Sequence, residues 1–293
     1  MNREIDLTSD FHELLDENMK QCGVRKIPCK PKDLKYIRFF TYLRKTNRGK
    51  IKFDIYESEE FKREKGRYED SLSKLFGIIR DGESWECFLS KRCSDLSYND
   101  HLFNNWSILH FHLGSRVGSS GMVERTGDLA IAYIDYNHRN LYFLRIQDHV
   151  RQPWYDDSLF QVVYDNWPNL LDGYMLAEVS AVDEDCFAKE NIKKAQNHGV
   201  LMLYRIKDKE HKYKYIMPLG MGHASSGDSN NDVSVYDNTI EGLRYFQRQL
   251  KSEQVLRIEN PLIYAKLVHS PKQRRYCILK VYADKTTELV GIL

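Results

Sequence analysis

The chain has 293 residues, 42% of them apolar and 29% charged, and its 44 lysines and arginines against 42 acids leave a formal net charge of +2. That composition supports a packed core and excludes a disordered chain. A balance so near zero neither demands nor excludes nucleic acid, because a local basic patch can sit inside a neutral total.

The six cysteines, Cys22, Cys29, Cys87, Cys93, Cys186 and Cys277, form no CxxC pair. Zinc-knuckle spacing is therefore absent, and the scatter suits reduced thiols better than a disulfide framework. The first twenty residues are too charged for a signal peptide, and no apolar run reaches the roughly 20 residues of a membrane span. A cytoplasmic protein with no membrane partner is the expectation. The 19 tyrosines and four tryptophans suit cores and interfaces, and also stacking on bases.

In chain order, LTSDFHELLDENMKQCG predicts a first helix, capped by Ser9 or Asp10 and ended by Gly23. The basic RKIPCKPKDLK, broken by Pro28 and Pro31, reads as a linker or surface arm. KIKFDIYES alternates as a strand. The charged stretch 58–82 reads as one amphipathic helix with Leu72, Leu75, Phe76 and Ile79 at helical spacing, followed by SWECFLSKR as a strand.

WSILHFHLG reads as a strand and SRVGSSGMVERTG as a flexible loop. DLAIAYIDYNHRNLYFLRIQDH predicts a hairpin turning at DYNHRN. A helix over SLFQVVYDNWPNLLDGY ends or kinks at Pro168. VDEDCFAKENIKKAQNHG predicts a helix ending at Gly199, VLMLYRI and YKYIMPLG a hairpin, and MGHASSGDSNNDVS a polar surface loop. A helix with Ile240, Leu243, Phe246 and Leu250 on one stripe leads to a closing three-stranded meander. The order implies an α+β fold dominated by antiparallel pairs, with flanking helices. It divides into an N-terminal α+β region (1–95, a possible recognition module), a central candidate catalytic domain (96–180) and a C-terminal α+β region (181–293).

No P-loop, no GxGxxG after a strand, no HExxH and no GxSxG occurs in the chain. What remains is a polar cluster over residues 104–168: His110, His112, Arg116, Glu124, Arg125, Thr126, Asp128, Arg145, Asp148, His149, Trp154, Asn166 and Trp167. His110 and His112 are two apart on a strand, so their imidazoles share one face. Two imidazoles on one face can act as acid and base, or ligate one metal, or pack as core residues. His149 ends the second hairpin strand beside Asp148. In ERTGD, Arg125 carries a planar fork that matches phosphate oxygens and Thr126 adds a hydroxyl. The alternative there is a solvated loop whose arginine pairs with Glu124 or Asp128. MGHASSGDSNND carries groups for phosphate or a cation, but its spacing does not fit a calcium loop and a flexible surface loop explains it better.

The segments NNWSILHFHLG, ERTGDLAIAYID, LYFLRIQDH and DNWPNLL follow in that order. Together they resemble a domain of uncharacterised bacterial and phage-related proteins, several encoded near defence or toxin genes. The hairpin is similar in shape to the sheet core of RelE-type toxins, in the barnase–EndoU–colicin–RelE group of ribonucleases. The resemblance covers roughly residues 100–172. It implies metal-independent RNA cleavage, with the 2′-hydroxyl attacking its own phosphate. On that reading His110 or His112 is the base, His149 the acid, Arg125 the phosphate contact and Thr126 a helper. The chain departs from those toxins in being far longer and in lacking their strong positive charge, which suits a larger toxin or antiviral defence effector whose substrate is delivered or gated. Its expected partners are RNA and a protein antitoxin, inhibitor or activator, with no cofactor. Two alternatives stand beside it: a non-enzymatic immunity or regulatory protein, and a metal-dependent phosphodiesterase or nuclease with His110 and His112 as ligands.

Overall fold

A computed structural model describes residues 5–27, 31, 33–149, 158–177, 179, 182–198, 200, 202–256, 262–270 and 275–291. Helices and mainly antiparallel sheets mix in an α+β fold, as expected. The chain forms two compact units: one joins 1–24 to 234–293, and the other is 25–233.

The larger unit is built on a four-stranded sheet of order β1-β4-β3-β2. Its strands are β1 (Asp54–Glu57), β2 (Ile108–His112), β3 (Asp128–Asp135) and β4 (Asn140–Asp148). The predicted hairpin is β3–β4, with a register shift between Ile131 and Ala132. β2 runs antiparallel to β3, and β1 adds the one parallel pairing of this sheet, along β4. β2 is buried along its whole length and β3 at every position but its two ends. Both faces of the sheet are therefore covered, which is why these segments read as apolar runs rather than clean alternation.

One face packs Leu109, Phe111, Ala130, Ala132 and Phe143 against Phe61, Leu72, Leu75, Ile79 and Trp85. Those partners come largely from α3 (Glu59–Glu64) and α4 (Glu69–Asp81). The expected single helix over 58–82 is thus two, separated by a tight turn over Lys65–Tyr68 that contains Gly66. The SWECFLSKR segment is not a strand. It folds as two short 3₁₀ turns, Glu86–Phe88 and Lys91–Ser94, because its Trp85, Phe88 and Leu89 are all buried in this core rather than alternating.

The opposite face packs Ile108, Leu129, Ile131, Tyr133 and Leu144 against Leu102, Trp106, Leu159, Phe160, Val163 and Tyr204. Here lie α5 (His101–Trp106), α6 (Ser158–Asn166) and the hairpin β5 (Tyr204–Lys207) with β6 (Tyr213–Ile216). α6 stops at Asn166, as Pro168 predicts, and Pro168–Tyr174 continues as a 3₁₀ turn. After it, α7 runs Lys189–Asn197, and its expected terminator Gly199 lies outside the described residues.

Two elements were not predicted. α2 (Leu34–Lys45) begins within the expected basic arm, whose Pro28 lies outside the described residues. α5 is only six residues long, capped by the Asp100 carboxylate on the Phe103 amide. The MGHASSGDSNNDVS stretch is not a flexible surface loop. Asp228 is buried on Arg38 at 2.7 Å, and Asn104 donates to the Gly227 carbonyl at 2.9 Å. Asp232 meets Arg44 at 2.8 Å inside the start of the next helix. Ion pairs and side-chain amides hold this polar segment, a fixing that hydropathy does not register.

The smaller unit contains α1 (Leu7–Gln21), most of α8 (Asn230–Leu256) and the meander β7 (Leu262–Ser270), β8 (Arg275–Tyr282) and β9 (Thr287–Gly291). The α1 cap is Asp6, which accepts from Ser9, one turn ahead of the expected Ser9 or Asp10. Asp10 instead reaches across to accept the Leu267 amide of β7 at 3.0 Å. Leu7, Phe11, Leu15 and Met19 line its buried face, and Ile240, Leu243 and Leu250 that of α8.

Candidate active site

Strand register decides which side chains can meet. In the antiparallel ladder His110 lies opposite Ile131, which lies opposite Arg145. His112 lies opposite Leu129, which lies opposite Gln147. Directly opposed residues share a face, as do residues two apart on one strand. His110, His112, Arg145 and Gln147 therefore stand on the same face, flanking the buried Leu129 and Ile131 of the middle strand. His149 follows two residues after Gln147 and continues that row.

The rings converge accordingly. His110 and His112 have centroids 6.5 Å apart with planes at 77°. His112 and His149 are 6.3 Å apart and nearly parallel, at 17°. His110 and His112 are 8% and 4% exposed, and His149 is exposed. The three imidazoles thus run from core to solvent.

Two glycines set the loops around them. The carbonyl of Gly127, at φ +91°, accepts the His149 amide at 2.8 Å and carries the β3–β4 ladder one step past Asp128 and Asp148. Gly114 lets the backbone of Glu124 press against the end of β2, where an added Cβ would lie 2.1 Å from the Glu124 carbonyl oxygen. The Gly114 carbonyl is itself held by the Ser71 hydroxyl at 2.6 Å. ERTGD is therefore anchored at both ends beside the histidines.

Arg125 is exposed, and its charge reaches both buried rings. Burial, helped by His110, Arg125 and His149, pushes the His112 imidazolium down to about 4. Burial does the same to His110, also to about 4, with Asp100 opposing and Lys45, His149 and Arg125 assisting. Both rings are neutral at pH 7, the state in which an imidazole accepts a proton. Behind His110 stands a buried ion pair that was not anticipated, Lys45 on Asp100. Burial raises the Asp100 carboxyl, but Lys45 and His110 outweigh it and hold it at about 2.

Of the expected residues, the structure gathers His110, His112, His149 and Arg125. Thr126 lies exposed between Arg125 and Gly127. Asp128 turns to the other face, where it accepts the Tyr68 hydroxyl. The Arg116 carbonyl only takes the Glu124 amide. Asn166 binds Glu60 and the Glu59 amide, and Trp167 packs on Tyr142 at 4.9 Å, so both are structural. Trp154 lies outside the described residues.

Sequence reading did not single out Gln147, which stands on the face of the histidines, although the period-two spacing Arg145, Gln147, His149 carries the signal. It also did not single out Asp100, ten residues before His110, or Lys45, which is brought there from a distant segment. Among the described residues, no group of three or more His, Cys, Asp or Glu side chains is arranged to hold a metal ion, and no helix is long and apolar enough to cross a membrane. No family model matches the chain, and neither a curated protein nor a solved structure matches it significantly.

Proposed function

We propose that the chain is a ribonuclease that cleaves RNA by acid–base transesterification. The observation that carries this reading is the convergence of His110, His112, His149 and Arg125 at one sheet end, graded from buried to exposed. In the proposed step a neutral His112 takes the proton of a ribose 2′-hydroxyl. That oxygen attacks the adjacent phosphorus, and the bond to the 5′-oxygen breaks. The departing oxygen takes a proton from His149, leaving a 2′,3′-cyclic phosphate and a 5′-hydroxyl. Arg125 balances charge on the phosphoryl oxygens, and Thr126 is within the same loop to assist. His110, backed by Lys45 and Asp100, packs edge-on beside the His112 ring at 6.5 Å.

A toxin or phage-defence effector in the cytoplasm, acting on RNA and governed by a protein inhibitor or activator, is the biological role this reading favours.

The test incubates wild type, His112→Ala, His149→Ala and Arg125→Ala with labelled total RNA and with DNA, with and without EDTA. Thermal melts confirm that each variant folds. EDTA-resistant RNA cleavage ending in cyclic phosphate, falling by about 10²–10⁴-fold in folded His112 and His149 variants, is the expected outcome. Cleavage abolished by EDTA, or no RNA cleavage by the wild type, overturns the proposal.

A further inference from the structure

Gln147, like His110 on the same face, has a buried polar atom without a hydrogen-bond partner among the described residues. The residue is 5% exposed, and the atom is its Nε2. The orientation of the amide is fixed by chemistry. Arg145 Nε lies 2.7 Å from Gln147 Oε1, and a guanidinium only donates, so the oxygen must face the arginine and the NH₂ must face away. Arg145 is held in turn by donating to the Ser158 hydroxyl at the start of α6, at 3.0 Å. A buried donor left without an acceptor is costly, and such groups in folded proteins call for an explanation.

The register supplies one. Gln147 shares its sheet face with His110 and His112 and precedes His149 by two residues. Two strand spacings of ~4.8 Å separate its backbone from that of His112, and the buried Leu129 side chain stands between the two on that face. A substrate group at this end of the row meets the amide of Gln147, the imidazoles of His112 and His149 and the positive charges of Arg125 and Arg145. That set matches an anionic oxygen acceptor.

We propose that Gln147 forms a phosphoryl-oxygen subsite, its Nε2 donating to a non-bridging oxygen of the substrate phosphodiester, with Arg145 as the positioning residue that locks the amide. This deepens the ribonuclease reading and rests on it for the identity of the substrate. A buried neutral donor held by Arg145 adds directionality that the exposed Arg125 does not supply. It stabilises the phosphoryl oxygens as charge builds on them during attack.

The test uses the full chain with two readouts. Inorganic phosphate is titrated while the ring signals of His112 and His149 are followed by NMR, and kcat and KM are measured on RNA. Gln147→Glu keeps the shape and replaces the donor with a negative acceptor. It is expected to weaken phosphate binding and lower kcat/KM by at least about tenfold each. Gln147→Met, of similar length but without a donor, gives the same direction and carries the test if the glutamate variant fails to melt as a folded protein. Arg145→Lys frees the amide to rotate and is expected to lower phosphate affinity and kcat while leaving the melting temperature near wild type.

Folded Gln147 variants that bind phosphate and cleave RNA like wild type overturn the subsite while leaving the ribonuclease reading intact. A wild type that binds phosphate through Gln147 but does not cleave RNA supports the subsite and sinks the nuclease. A wild type that does neither overturns both.

Discussion

Mild acid should destabilise this protein through its buried histidines before it reaches its buried carboxylate. His110 and His112 sit at about 4 in the folded state, against an ordinary 6.5. Between those values the unfolded chain binds more protons than the folded one, so stability falls as the pH drops from about 6.5 towards 4. The gap amounts to roughly 3 kcal/mol for each ring, against a total stability of about 5–15 kcal/mol for a typical domain. Asp100, held at about 2 against 3.8, contributes in a separate and lower window: its stabilisation is complete above 3.8 and is lost towards 2. Urea unfolding of wild type and His110→Leu, followed by tryptophan fluorescence at several pH values from 7 to 4.5, separates the terms. The wild type should lose up to about 1.4 kcal/mol per pH unit for each histidine once below 6.5. His110→Leu removes one titrating ring at similar volume, so its slope should be shallower by about that amount. Parallel slopes for the two proteins would refute the reasoning, because they would mean that His110 takes up its proton equally in both states.

Other outcomes follow from the same geometry. Lys45→Met strands the Asp100 carboxylate in the interior and should cost about 3–5 kcal/mol in urea unfolding, whereas Lys45→Met with Asp100→Asn should recover part of that loss. A double variant no more stable than the single would contradict the buried pair. Gly114→Ala pushes a methyl group into the Glu124 backbone, so it should cost about 1–3 kcal/mol and displace Arg125 from the histidines. Its melt and its RNA cleavage should fall together, and an unchanged cleavage rate would show that the loop is not positioned through Gly114.

Local pattern carried the sheet well. The β3–β4 hairpin, the β5–β6 hairpin and the closing meander all follow from apolar runs separated by turn residues. The shared face of His110 and His112 follows from strand periodicity alone. What failed is also explicable. SWECFLSKR has strand-like composition, yet three large side chains entering one core impose tight turns over residues 86–94. The 58–82 helix breaks at the turn containing Gly66, which the continuous amphipathic stripe conceals. Long-range electrostatics was the least legible: Lys45, Asp100 and Asp228 find partners 55 or more residues away, and nothing near them in sequence announces it. Gln147 belongs to a third kind of omission. Its position was readable, but an amide nitrogen without a partner among the described residues becomes visible only once Arg145 is seen to hold the other end.

The bond from Asp10 to Leu267 closes a loop of 257 residues. It gives the smaller unit a distinctive place in the protein's biosynthesis. A ribosome adds about 5–20 residues each second, so α1 leaves it roughly 13–50 s before β7 exists to receive it. During that interval the face formed by Leu7, Phe11, Leu15 and Met19 has no β7 to pack on, while the sheet bearing His110, His112 and His149 already has all four of its strands. Docking of the first helix onto the last sheet is therefore a late event in assembly, and the nascent chain presents a greasy helix to chaperones at the stage when its candidate catalytic sheet can already be complete.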